Sequence, residues 1–273
     1  MSIYYEDNIK ECGVAHNWHN TTIKDSIITE RGTKVEIVER NKWGGLYCYM
    51  NNLIQSALID EQIYHQALVH PCMLSVNERK RVMIVGGGEG ATPREVLKWQ
   101  DVEHVDMYEW DKDVVDLFKS KYPEWAEGAW NDPRLALHYD DIFEVITQPP
   151  DNKYDVIVID LFEPDEDNIL QWITMIQMLP KWIKENGSIV MYAGMRNIYM
   201  EEQPYERLIK MLECVPSLYK ECIPYKVYIP SFSGESMFLL LKNSDMIALD
   251  FNTKRHESHM TEDIWRSYKT LNW

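Results

Sequence analysis

Val82-Met83-Ile84-Val85-Gly86-Gly87-Gly88-Glu89-Gly90-Ala91-Thr92-Pro93-Arg94-Glu95-Val96-Leu97-Lys98 is the stretch whose reading decides the fold. Its first four residues form an unbroken apolar run, the pattern of a strand buried on both faces in a parallel sheet. Thr92 to Lys98 reads as the opening of a helix, with Thr92 as N-cap and Pro93 at the first helical position. Between them the glycines let the backbone turn sharply and pass close to a ligand. In this strand-to-helix setting a glycine-rich loop is a much stronger sign of a nucleotide-type ligand than the same glycines alone.

Outward from the loop, strands and helices alternate. Val102–Tyr108, Leu135–His138 and Tyr154–Asp160 read as further strands, with Lys112–Lys121 as a helix between the first two. A helix follows from Trp172 to Ile183, then a strand at Ser188–Tyr192 and a helix at Pro204–Leu212. Strands at Lys226–Ile229 and Met237–Leu241 come next, and the tail carries a helical pattern at Glu262–Tyr268 that can pack on the sheet or on a partner. This order predicts an α/β chain with a Rossmann-like, methyltransferase-type doubly wound sheet. Upstream, Lys34–Glu39 and Leu46–Met50 read as two strands about Trp43-Gly44-Gly45, and residues 60–74 carry a helical pattern that stops near Pro71. The expected organisation is a small N-terminal β-stranded module over residues 1–75 and a catalytic domain with its tail over 76–273.

Composition narrows the function classes. A formal net charge of -16 opposes binding to nucleic acid phosphates. No stretch approaches the roughly 18 apolar residues that cross a bilayer. Met1 to Asp7 has neither the basic start nor the apolar segment of a signal peptide. Cys12, Cys48, Cys72, Cys214 and Cys222 have no metal-ligand spacing and read as reduced thiols of a cytoplasmic protein. No metal is expected.

Acidic residues stand at the predicted strand ends, where open α/β sheets bind ligands. Glu109 is placed to accept hydrogen bonds from both ribose hydroxyls of a nucleoside. Asp141 either sits beside an adenine amino group or caps a helix. Asp160 and Glu163, with Glu89 opposite, form an anionic pocket for an ammonium group, with Asp160 able to take a proton; an acidic loop continuing into Asp165-Glu166-Asp167 is the plainer account. His65 and His70 read as hydrogen-bonded core or interface histidines. The Met and Trp residues from Trp172 to Trp182 fall at helical spacing and read as core.

The glycine-rich stretch resembles the signature of spermidine and thermospermine synthases, the polyamine aminopropyltransferases. Gln55-Ser56-Ala57-Leu58-Ile59-Asp60-Glu61-Gln62-Ile63-Tyr64-His65-Gln66-Ala67-Leu68-Val69-His70-Pro71 does so too. Gln55-Ser56-Ala57, Glu89, Asp160-Leu161 and Ile229-Pro230-Ser231-Phe232 look closest to the thermospermine synthase branch. The resemblance implies that Gln55, Gly86, Gly88, Glu89, Glu109, Asp141 and Ile142 bind decarboxylated S-adenosylmethionine as co-substrate. It implies that Tyr64, Asp160, Glu163 and Tyr225 surround a polyamine acceptor, with Asp160 as the base, and that methylthioadenosine is released. A homodimer or homotetramer assembled through the N-terminal module is implied as well. The sequence departs from the family at Lys34 and Tyr192, where glutamine is usual, and after Pro164. Trp18 is compared with an N-terminal tryptophan of the family's acceptor pocket. Two other readings stay open: an S-adenosylmethionine-dependent amine N-methyltransferase, favoured by Lys34 as partner for a methionine carboxylate, and a silent polyamine- or nucleoside-binding homologue.

Overall fold

Alternation of apolar and polar residues sorts the strands of this computed structural model into sheets, and helices cover both faces of the largest. The structure describes residues 2–8, 14–42, 44–196, 202–243, 247–253 and 260–271. Cys12, Trp43 and part of the tail after Asn243 lie outside the described residues. A hairpin of β1 (Ile3–Asn8) and β2 (Val14–His19) precedes a four-stranded antiparallel sheet. That sheet runs β3 (Thr21–Ile28), β4 (Lys34–Arg40), β5 (Leu46–Met50), β6 (Leu53–Ala57). Only β4 and β5 were legible beforehand. β3 escapes because its exposed Thr, Lys, Asp and Ser residues mask the alternation.

The large sheet has seven strands. In chain order the elements are α1 (Glu61–Leu74), β7 (Arg81–Gly86), α2 (Ala91–Leu97), β8 (His104–Tyr108), α3 (Lys112–Lys121), β9 (Leu135–His138) and α4 (Ile142–Val145). β10 (Tyr154–Asp160), α5 (Ile169–Trp182), β11 (Ile183–Arg196), α6 (Pro204–Glu213), β12 (Glu221–Ile229), β13 (Gly234–Lys242) and α7 (Glu262–Tyr268) complete it. Spatially the strands lie β12-β13-β11-β10-β7-β8-β9. The five from β11 to β9 are parallel, and β13 and β12 run antiparallel at one edge. The expected mostly parallel α/β sheet with an N-terminal antiparallel module is therefore present. Period two divides its interior: Val82 and Ile84 point into one core with Val156 and Val158, Met83 and Val85 into the other with Ile157 and Ile159. Trp172 and Trp182 fill the second core as expected. The small sheet docks through Val35, Ile37 and Cys48 on Val114, Leu117 and Phe118 of α3.

Two local expectations are corrected. Thr92 is not the N-cap of α2; Gly90, at φ 89°, holds that position and Thr92 lies inside the first turn. The helix expected to stop near Pro71 continues to Leu74. Proline has no N–H for the carbonyl four residues back, which ordinarily breaks a helix. Here that carbonyl belongs to Ala67, and the Tyr225 hydroxyl donates to it at 2.8 Å. Tyr225 is fully buried, stacked on Phe238 and edge-on to Trp265 of α7. The tail helix therefore packs on the sheet, over the residue that repairs the proline break.

Replacing Tyr225 by Phe leaves the Ala67 carbonyl buried without a donor. The expected loss is about 1–3 kcal/mol of unfolding free energy, read from a denaturant titration; an unmoved midpoint would show that the carbonyl needs no donor.

Candidate active site

The strand order reverses between β7 and β10, and a crevice opens at the carboxyl ends of strands where such a reversal occurs. Asp160, last in β10, pairs with Gly86, last in β7. A Cβ at Gly86 would collide with the Asp160 carbonyl oxygen, and φ at Gly86 is +82°, so only glycine fits. The loop consequently leaves β7 directly across the Asp160 carboxylate.

Both oxygens of that carboxylate are held. The Tyr64 hydroxyl of α1 donates to Oδ1 at 2.9 Å, and the Thr92 hydroxyl donates to Oδ2 at 2.6 Å. Burial and the nearby Glu89 charge raise the Asp160 pKa, while His65 and the two hydroxyls oppose them. Glu89 accepts from or is paired with His65 Nε2 at 3.1 Å, and His65 Nδ1 meets Glu61 at 2.9 Å. Burial alone would push His65 down; its bonds to Glu61 and Glu89 override that and hold it well above the usual histidine range. Arg94 closes the chain with a two-pronged bond to Glu61, both arms 2.8 Å. Further inside, Glu95 meets His70, Arg94 and Lys98, and against its burial the His70 hydrogen bond and the Arg94 and Lys98 charges hold it down at about 2. His65 and His70 are thus the hydrogen-bonded core histidines expected, and His65 also reaches the pocket edge.

Glu109 follows β8 and lies over Gly88, where a Cβ would come within 3.2 Å of its Oε2. It accepts the Asp111 N–H at 2.9 Å. Burial pushes its pKa up to about 7, with that N–H opposing and the Glu89 charge adding. Asp141 is the N-cap of α4, its carboxylate accepting the Phe143 N–H at 2.9 Å. The side chain of Ile142 is buried in the core with Val85. Gln55, in the middle of β6, is exposed and donates to the Leu53 carbonyl at 3.4 Å; it lines a cleft with Tyr64, His65 and Phe232.

Asp160, Tyr64, Glu89, Gly86, Gly88 and Glu109 are therefore gathered round one crevice. Glu163 stands over Gly194 of β11, its Oε1 3.2 Å from where a Cβ would be. Tyr225 is held away from the crevice by the Ala67 bond. The acidic run after Pro164 is a self-capped turn: Asp165 accepts the Asp167 and Asn168 N–H groups, and Asn168 accepts that of Asp165. Trp18 packs under Arg40, whose guanidinium lies 3.5 Å from the indole centroid, and donates to Glu6 at 2.6 Å. Lys34 is paired with Glu36 at 2.8 Å. Sequence reading missed Glu61 and Arg94, and took Thr92 for a cap. The one available signal was Glu61 and His65 at i,i+4 on a helix; nothing local says that Arg94 and Thr92 turn toward it.

Comparisons with known proteins agree with this geometry. A family model described as spermine/spermidine synthase domain matches residues 61–253. A polyamine aminopropyltransferase of Pyrobaculum calidifontis is 34% identical over 201 residues, 72% of this chain and 68% of its own length. Polyamine aminopropyltransferase 1 of Hyperthermus butylicus is 37% identical over 195 residues, 70% of this chain and 65% of its own. The stretch shared with these relatives is thus about two thirds of their length. Among solved structures, spermidine synthase from Thermotoga maritima superimposes with a TM-score of 0.82 at 20% identity, covering 99% of this chain and 91% of that one. A spermidine synthase in complex with the transition state analogue AdoDATO gives 0.84 at 20% identity, covering 99% and 92%. These structures share the fold, and the sequence matches settle the lineage: the chain belongs to the spermine/spermidine synthase family.

Proposed function

We propose that the crevice transfers the aminopropyl group of decarboxylated S-adenosylmethionine to a linear polyamine. The observation that carries this reading is Asp160, partly buried, oriented by Tyr64 and Thr92, and raised in pKa by burial and the charge of Glu89 on the glycine-rich loop. The co-substrate has an ammonium, a sulfonium and a ribose, and the residues fit all three. Glu109 over Gly88 is placed for ribose hydroxyls, and Glu89 and Asp160 supply negative charge for the two cations. In the reaction a neutral acceptor nitrogen attacks the aminopropyl carbon beside sulfur. The N–C bond forms, the C–S bond breaks, its electron pair stays on sulfur, and methylthioadenosine departs. Asp160 receives the proton lost by the nitrogen. Its raised pKa makes it a better base than an ordinary aspartate, and orientation in a desolvated crevice supplies much of the rest. His65, held cationic between Glu61 and Glu89, limits the excess negative charge.

Within this reading, Ile229-Pro230-Ser231-Phe232, with the Phe232 ring 6.0 Å from Tyr64, supports a thermospermine synthase-like acceptor pocket. The Lys34 cation, which would favour the methyltransferase alternative, is engaged by Glu36. The free Cys48 and Cys72 thiols accord with a cytoplasmic location. Ile3, Ile23 and Ile28 of the N-terminal strands are 56%, 51% and 77% exposed, which supports a dimer or tetramer formed through that module.

Three measurements test the reading. With decarboxylated S-adenosylmethionine and an amine panel, mass spectrometry should find methylthioadenosine and an amine heavier by one aminopropyl unit. Asp160→Asn should slow that release about 10²–10⁴-fold while methylthioadenosine still binds; methylated amines formed from S-adenosylmethionine would move the chain to the other class. Methylthioadenosine affinity should weaken as pH falls through about 7, because protonation of Glu109 removes an acceptor for the ribose. Glu109→Gln should flatten that dependence, and a wild-type affinity independent of pH would remove Glu109 from the ribose site. Light scattering should give two or four times the mass of one chain, reduced by Ile3→Asp with Ile28→Asp; a monomeric wild type excludes the assembly.

A further inference from the structure

A series of ring contacts joins the tail helix to the group that holds Asp160. One of the two hydroxyl donors to that carboxylate is Tyr64. The Tyr64 ring meets Phe238 of β13 edge-on, 5.2 Å between centroids. Phe238 is stacked on Tyr225 at 5.4 Å. Tyr225 is in turn edge-on to Trp265 of α7 at 5.0 Å and stacked with Tyr268 of the same helix at 6.4 Å. A second path runs through the backbone. The Tyr225 hydroxyl donates to the Ala67 carbonyl, three residues after Tyr64 in α1, at the point where Pro71 leaves that helix without a bond of its own.

The tail is fastened on both sides of α7. Before it, the Asp250 N–H donates to the carbonyl of Leu74, the last residue of α1, at 3.0 Å, and Leu249 and Phe251 pack on the core that contains α1. After it, the Leu271 carbonyl accepts from Arg196, the last residue of β11, at 3.2 Å. Seven residues are too few to form a helix unaided, so α7 depends on these ties and on its buried Trp265. Close-packed side chains pass small displacements to their neighbours. A shift of Tyr225 therefore reaches Tyr64 both through the Phe238 ring and through the backbone of α1.

Resting on the aminopropyl-transfer reading of the crevice, we propose that the tail is a strap that aligns Tyr64 on the base, with Trp265 and Tyr225 as positioning residues that act on Asp160 through Tyr64. The groups acting on Asp160 are Tyr64 and His65 of α1, Thr92 of α2 and Glu89 of the loop. Of these, Tyr64 is the one in ring contact with Phe238. Its hydroxyl favours the ionised carboxylate and so lowers the Asp160 pKa. Loosening that bond raises the pKa, and the base is then lost at a higher pH as acid is added.

The test follows the pH dependence of kcat for methylthioadenosine release. Trp265→Ala removes the ring against Tyr225, and Tyr225→Phe removes only the hydroxyl. Tyr64→Phe is the reference, since it deletes the donor itself. In all three the acid limb should move to higher pH and kcat should fall about 10-fold or more. Methylthioadenosine affinity should stay within about twofold, as expected for a site remote from the ring series. Trp265→Ala combined with Tyr64→Phe should move the limb no further than Tyr64→Phe alone, because both act through one bond. An acid limb unmoved in folded Trp265→Ala and Tyr225→Phe, whatever the loss of melting temperature, overturns the strap. Where Trp265→Ala does not fold, Tyr225→Phe decides. Should the wild type release no methylthioadenosine with any amine, the transfer reading fails separately. The Asp160 carboxyl, followed by carbon NMR and assigned with Asp160→Asn, then decides the strap, a titration midpoint unmoved in Tyr225→Phe overturning it.

Discussion

At the carboxyl ends of β7 and β10 two neighbouring parallel strands bring Gly86 against Asp160, with no room for a Cβ between them. The pairing sets three things together. It ends the hydrogen-bonded ladder at the place where the strand order reverses, and it forces the glycine loop to turn away at a positive φ. It also leaves the Asp160 carboxylate facing the cavity that the turn creates. Any side chain at Gly86 would part the strands and move the acid, so the site is as much a feature of sheet register as of the residues that line it.

What orients Asp160 comes from the helices on one face of that sheet. Tyr64 reaches it from α1 and Thr92 from α2, so the mutual position of these two helices governs the carboxylate. A buried ionic chain holds the helices together: Glu89, His65, Glu61, Arg94, Glu95 and His70 follow one another at hydrogen-bond distance, and the Trp99 indole N–H ends the series at 3.2 Å from His70. Buried charges are costly singly, and removing one partner of such a pair leaves the other uncompensated. The chain therefore resists any sliding of α1 over α2, which hydrophobic packing alone would permit more readily. Its outer end, Glu89, acts on Asp160 through its charge, so the same bonds that fix the helices set the charge beside that carboxylate.

The small N-terminal sheet contributes through its last strand. β6 ends at Ala57, three residues before Asp60, and Ser56 accepts the Trp125 indole N–H at 2.9 Å. Docking of Val35, Ile37 and Cys48 on α3 thus places Gln55 and the start of α1 against the loop at Ile229–Phe232. The cleft lined by Gln55, Tyr64 and Phe232 lies at this junction between the two sheets.

Much of the architecture was legible in residue order, because period-two and period-3.6 patterns are local. The apolar run at Val82–Val85, the seven residues Tyr154–Asp160 and the helix Lys112–Lys121 all appear within a residue or two of their expected limits. So did the acids at strand ends, since a parallel sheet puts its ligands there whatever the sequence between. Tertiary structure decided which of those acids meet. Asp141 spends its carboxylate on a helix cap, and Glu163 is directed over Gly194. Tyr225, matched to the acceptor pocket by resemblance, supplies the hydrogen bond that Pro71 cannot make, across 158 residues of chain. Thr92, which reads as a helix cap, and Arg94, to which no local pattern gives a role, turn inward to Asp160 and Glu61. Sequence alone determined which groups exist and on which elements they ride. Their partners are set by distances between elements far apart in the chain, which no local pattern encodes.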